Sequence, residues 1–122
     1  WLVKNTSTSI GSEAKFSIAE INFKQAKYAQ ADVEIKALLK MKPSYNYWVA
    51  KALILQARIF ILNNDLFQAE QTLKSVLEFY PDKDDGVLAE ANDLFEELMQ
   101  LKNPVIIEQP VEDLKKIEIN EE

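Results

Sequence analysis

Residues 28–43, YAQADVEIKALLKMKP, and residues 66–81, LFQAEQTLKSVLEFYP, are one pattern written twice. In the first copy Tyr28, Ala31, Ile35, Leu38 and Leu39 follow one another by three or four positions, or stand side by side, so their side chains share one face of a helix. Leu66, Ala69, Leu73, Val76 and Leu77 stand at the same places in the second copy, each 38 residues after its counterpart. Pro43 and Pro81 close both copies, because proline has no N–H to donate and its ring clashes with the preceding turn.

The match continues upstream of each copy. Ala14 pairs with Ala52, Ala19 with Ala57, Gln30 with Gln68, Ala31 with Ala69, Lys36 with Lys74 and Leu39 with Leu77, all at the same offset. The repeating unit is therefore a helix, a short connection and a second helix. Gln25-Ala26-Lys27 and Asn63-Asn64-Asp65 interrupt the apolar spacing and read as the connections. Five helices are predicted, near 10–25, 28–41, 44–63, 66–79 and 84–102. Ala19, Ala31, Ala57 and Ala69 are small where facing helices would have to approach closely. The expected core comprises Ile18 and Ile21 of the first helix, and Tyr28, Ala31, Ile35 and Leu38 of the second. Trp48, Leu55, Ile59 and Phe60 of the third join it, with Leu66, Ala69, Leu73 and Val76 of the fourth and Leu94 and Leu98 of the fifth.

The run Ile18-Ala19-Glu20-Ile21, followed by Tyr28, Ala31, Ile35 and Pro43, resembles the tetratricopeptide repeat, a two-helix unit of about 34 residues. Ala57, Leu66, Ala69, Leu73 and Pro81 fit the same template, and residues 45–48 supply the excess length as an added turn at the start of the third helix. Ala26 and Asn64 stand where the family usually has Gly, Asn22 where it has Tyr, and Leu38 and Val76 where it has Ala. The resemblance covers residues 12–81. It implies an all-α fold, a right-handed α-solenoid of two tetratricopeptide hairpins, residues 12–45 and 46–83, with a C-terminal capping helix at 84–102. Residues 1–9 are expected to end a preceding repeat or linker of a longer bacterial array.

In the resembled family the first helix of each unit lines a concave surface that holds peptides. By that template the groove residues are Glu13, Phe16, Glu20, Phe23 and Lys24 in the first unit and Lys51, Ile54, Arg58, Ile61 and Leu62 in the second. Glu20 and Arg58 occupy equivalent places and are expected to pair across the groove or to meet a ligand charge. Some members grip a C-terminal carboxylate with Lys and Asn; Glu20 replaces that Asn, so this activity is not carried over. The implied function is non-catalytic binding of a protein or peptide, with a structural spacer or self-associating homo-oligomer as the alternative.

Composition points the same way. The 122 residues suffice for one domain, and only two are Gly, few for a chain with many turns. There is no Cys and no His, which removes disulfides, thiol nucleophiles, Cys/His metal sites and every His-based general base. No cofactor, metal or catalytic residue is expected. Asp82-Lys83-Asp84-Asp85-Gly86 looks superficially like a calcium loop, but its Gly comes one place early and the closing Glu is missing, so the aspartates are assigned to helix capping. Glu96 and Glu97 are adjacent and diverge on a helix, unlike acid/base pairs that face each other across a substrate.

Net charge is −6, unevenly spread: residues 1–80 carry +3, 81–102 carry −5 and 103–122 carry −4. That sign disfavours nucleic acid and anionic membrane as partners. The most apolar window, 48–62, is too short and too interrupted by Lys51, Gln56 and Arg58 to span a bilayer. Thirteen lysines against Arg58 alone suggest an A/T-rich bacterial genome. The absence of Cys suits cytosol and envelope alike, and the envelope or periplasm is preferred. Val87, Ala91, Leu94, Leu98 and Leu101 form an apolar face opposite Glu90, Asp93, Glu97 and Gln100, the pattern of a helix that shields the last layer of a stack with its polar side outward. Residues 103–122 are read as an acidic, flexible tail, with too few aliphatics to offset the entropy of ordering them.

Overall fold

A computed structural model describes residues 2–103, with side chains from residue 10 onward. The expected flexible tail lies, apart from Asn103, outside the described residues. Five helices make up the described chain: α1 (Leu2–Lys24), α2 (Tyr28–Leu39), α3 (Asn46–Leu62), α4 (Leu66–Phe79) and α5 (Val87–Lys102). Among the described residues there is no strand, so the fold is all-α. α1 opens at Leu2, eight residues before its predicted start, so residues 2–9, expected to end a preceding repeat or linker, run continuously into it.

The connections after α1 and α3 are built identically. Ala26 has φ 63 and Asn64 φ 61, both in the left-handed region. Around them Ala26 N–H donates to Phe23 O (3.0 Å) and Lys27 N–H to Asn22 O (2.8 Å), while Asn64 N–H donates to Ile61 O (2.9 Å) and Asp65 N–H to Phe60 O (2.8 Å). Each pair is the reverse turn that satisfies the last carbonyls of a helix through one left-handed residue. Asp65 then starts α4, its carboxylate accepting from Gln68 N–H at 3.4 Å.

Each helix packs on its neighbour in sequence, and α1 on α3 and α3 on α5 in addition. α3 is therefore buried on two sides. Ala52, Leu55 and Ile59 join Phe16, Ala19, Ala31, Ile35 and Leu38 in one cluster. Ala50, Ile54 and Ala57 join Ala69, Leu73, Val76, Val87, Ala91, Leu94 and Leu98 in the other. The four alanines predicted at close approaches are all fully buried. Lys15 Nζ lies 3.2 Å from Glu34 across α1 and α2, and Lys102 and Lys74 both meet Glu70.

Two core expectations fail. Ile18 and Ile21 are 46% and 55% exposed, while Phe16 and Ala19 carry the contact instead. α1 turns Ser12, Phe16, Ala19 and Phe23 toward α2 and α3, and the stripe Ile10, Ala14, Ile18 and Ile21 falls on its other side. Tyr28, Trp48, Phe60 and Leu66 are half-buried, at the edges of the clusters.

α5 starts three residues later than predicted because residues 82–86 form a turn. Asp84 N–H donates to Asp82 Oδ1 (2.8 Å), and Gly86 turns with φ 88 into the helix. Asp85 Oδ1 accepts from Val87 N–H at 3.1 Å, while its other oxygen accepts a hydrogen bond from the Tyr80 hydroxyl. Of the three aspartates assigned to capping, Asp85 meets an N–H of α5, that of Val87, while Asp82 closes the turn before it and the N-cap itself is Gly86. No helix among the described residues is long and apolar enough to cross a membrane.

Candidate functional site

α3 packs on both α1 and α5, and residues of all three helices line one depression. The helical spacing of Glu13, Phe16, Glu20 and Phe23 puts them on one side of α1, and that of Lys51, Ile54, Arg58, Ile61 and Leu62 puts them on one side of α3. Their availability differs. Phe16 and Ile54 are only 8% and 1% exposed, so neither offers surface to a ligand. Phe16 packs against Trp48 with ring centroids 5.7 Å apart and lies under Lys51 Nζ at 5.8 Å, and Ile54 is held by the cluster that α3 shares with α4 and α5. Both are core residues. Glu13 and Lys24 are exposed, Glu20, Phe23, Lys51, Arg58 and Ile61 are half-buried, and Leu62 is 54% exposed.

Four of the ten predicted residues meet in one open depression of about 440 Å³, lined by Phe23, Arg58, Ile61, Leu62, Leu94, Glu97 and Leu101. Phe23 is fixed edge-on against Tyr28 at 5.5 Å. The third wall is α5, read from the sequence only as a shield with its acidic side outward. That reading is corrected for Glu90, while Glu97 is exposed as expected. Glu90 turns back to α3, its Oε1 2.8 Å from Lys51 Nζ and its Oε2 3.8 Å from Arg58, and Glu97 lines the depression.

The expected Glu20–Arg58 pair does not form, because Glu90 takes the guanidinium from the other side. Glu90, Leu94, Glu97 and Leu101 were missed as site residues. The available signal was their spacing, which puts all four on one face of α5, but nothing in the linear pattern says that this face meets α3.

Two further depressions lie elsewhere, one between α3 and α4 beside Leu53, Phe79 and Tyr80, the other between α2 and α3 beside Tyr28, Asp32 and Gln56. Neither contains a predicted site residue. The two clearly perturbed acids also lie outside the groove: Lys102 and then Lys74 hold Glu70 below the usual carboxylate range, and burial, then the hydrogen bond to Asp85, pushes Tyr80 up. Glu96 and Glu97 diverge as expected, Glu96 accepting from Asn92 at 3.4 Å.

The depression is open to solvent and mostly apolar in its lining. It can receive side chains projecting from another polypeptide. No protein-family model, curated protein or solved structure matches the chain.

Proposed function

We propose that this chain is a non-catalytic protein-interaction module, an α-solenoid of two tetratricopeptide-like hairpins closed by α5, that takes a peptide or protein segment on the face shared by α1, α3 and α5. The observation that carries the reading is the convergence of Phe23, Arg58, Ile61 and Leu62 with Leu94 and Leu101 in one open depression. The matching connections at Ala26 and Asn64 support the repeat reading, since both put a left-handed residue where the resembled family places Gly.

The test is Leu62→Asp, alone and with Phe23→Asp. Leu62 is already half in water, so its replacement should abolish partner capture by the full chain and leave the circular dichroism of the helices unchanged. Loss of helicity in the single variant would instead assign Leu62 to the core and remove this support.

A second reading, self-association, is favoured by the exposed stripe Ile10, Ile18 and Ile21 on α1, which no described helix covers. A mass that rises with concentration in sedimentation, and reverts with Ile18→Asp, would establish it.

A further inference from the structure

We infer that the segment bound in this groove is basic as well as apolar, presenting Leu-like side chains to the depression and Lys or Arg to its rim. The inference rests on the groove being the binding face, and names the chemistry of the occupant.

It follows from which groove charges are already engaged. Lys51 is paired with Glu90 at 2.8 Å, and Arg58, which also lines the depression, stands 3.8 Å from the same carboxylate, so both cations of α3 already face an acid of the fold. Glu13 and Glu20 on α1 and Asp93 and Glu97 on α5 make no ion pair among the described residues, and Lys24 is the one other cation predicted for this face. The unpaired acid at the depression is Glu97, which lines it with Phe23, Ile61, Leu62 and Leu101, and Glu20 and Asp93 stand one helical turn from Phe23 and Glu97 on the same helices. Glu97 itself lines the depression beside these apolar side chains, so a leucine seated there would bring a neighbouring lysine within reach of a carboxylate.

An acidic segment would have to compete with Glu90 for Lys51 and Arg58 while facing the unpaired carboxylate of Glu97, and anionic lipid and nucleic acid meet the same repulsion. The net charge of −6 adds long-range attraction for a basic partner.

The test uses the full chain and three fluorescein-labelled peptides with Leu at helical spacing and the remaining positions all Lys, all Gln or all Glu, read by fluorescence anisotropy. The Lys peptide is expected to bind tightest and the Glu peptide not at all. Leu62→Gln should weaken binding. Asp93→Lys with Glu97→Lys should weaken the Lys peptide about tenfold, as two exposed contacts turn from attraction to repulsion. Glu78→Lys with Asp84→Lys makes the same change of net charge on exposed positions away from the groove and should do much less.

If the Gln or Glu peptide binds as well as the Lys peptide, or both charge pairs act equally, while Leu62→Gln still weakens binding, the basic preference is overturned and the groove stands. If no peptide binds, or binding ignores Leu62→Gln, as it would for a peptide held by the acidic residues 104–122, both are overturned.

Discussion

Ala26 and Asn64 stand 38 residues apart and hold the same left-handed backbone, φ 63 and φ 61, with the same two hydrogen bonds closing the helix before each. Asn tolerates this region; Ala does so against the clash of its Cβ, at roughly 1 kcal/mol. The second hairpin thus has a residue suited to its turn and the first does not. Ala26→Gly should raise stability by about 0.5–1 kcal/mol, part of the relieved strain being offset by the freedom Gly gains in the unfolded chain. Asn64→Gly should change little. Gly86→Ala should do the reverse of Ala26→Gly: the space around Gly86 is open, so its φ of 88 is the whole penalty, about 1 kcal/mol. Urea unfolding of the three variants checks all three signs.

Lys51 and Glu90 join α3 to α5, and both are partly withdrawn from water. Glu90→Gln should destabilise by about 1 kcal/mol, because it leaves Lys51 and Arg58 facing each other without the charge between them. A double-mutant cycle with Lys51→Met should return a coupling of the same order, and a coupling indistinguishable from zero would mean that the contact is solvent-screened.

Repeats, helix types and most helix ends were legible because they depend on local spacing and on punctuation by Ala26, Asn64, Pro43 and Pro81. The early start of α1 was hidden by Asn5, Thr6, Ser7, Thr8 and Ser9, polar residues of weak helix propensity that give no apolar periodicity. The error at Ile18 and Ile21 has a different cause. α1 carries two apolar stripes, and spacing alone does not say which one α2 and α3 will cover. Pairing of Glu90 with Lys51 was beyond reach for the same reason: the partners are 39 residues apart and meet only because α5 returns to α3.

Glu70 accepts from Lys102 and lies 2.9 Å from Lys74, and these two ammonium groups hold its carboxyl below the ordinary value of 4.5. A lowered folded-state value means that the contribution to stability is present above the ordinary glutamate range and is lost as pH falls through the lowered value. Glu70→Gln should therefore flatten the acid limb of the stability curve and leave the neutral plateau less affected. Tyr80 has the opposite sign of linkage. Its raised value keeps stability in full below the ordinary tyrosine value of about 10 and loses it progressively above, so Tyr80→Phe should reduce the alkaline loss. Thermal melts across pH in both variants measure the two slopes.

α5 contributes Val87, Ala91, Leu94 and Leu98 to the cluster built on α3 and α4, all buried. Leu98→Ala should cost about 2–5 kcal/mol, the range for emptying a filled core position. A chain ending at Pro81 loses the whole layer and exposes Leu73, Val76 and Ile54 to water, at about 1.5–3 kcal/mol for each large side chain. Set against a domain stability of about 5–15 kcal/mol, that truncation should unfold or aggregate. A chain ending at Lys102 keeps every described core residue and should melt cooperatively within a few degrees of the parent. The comparison also bears on function, since Leu94 and Leu101 belong to the groove wall. If the chain ending at Pro81 were to melt cooperatively and still capture a partner, α5 would be neither the cap nor the third wall.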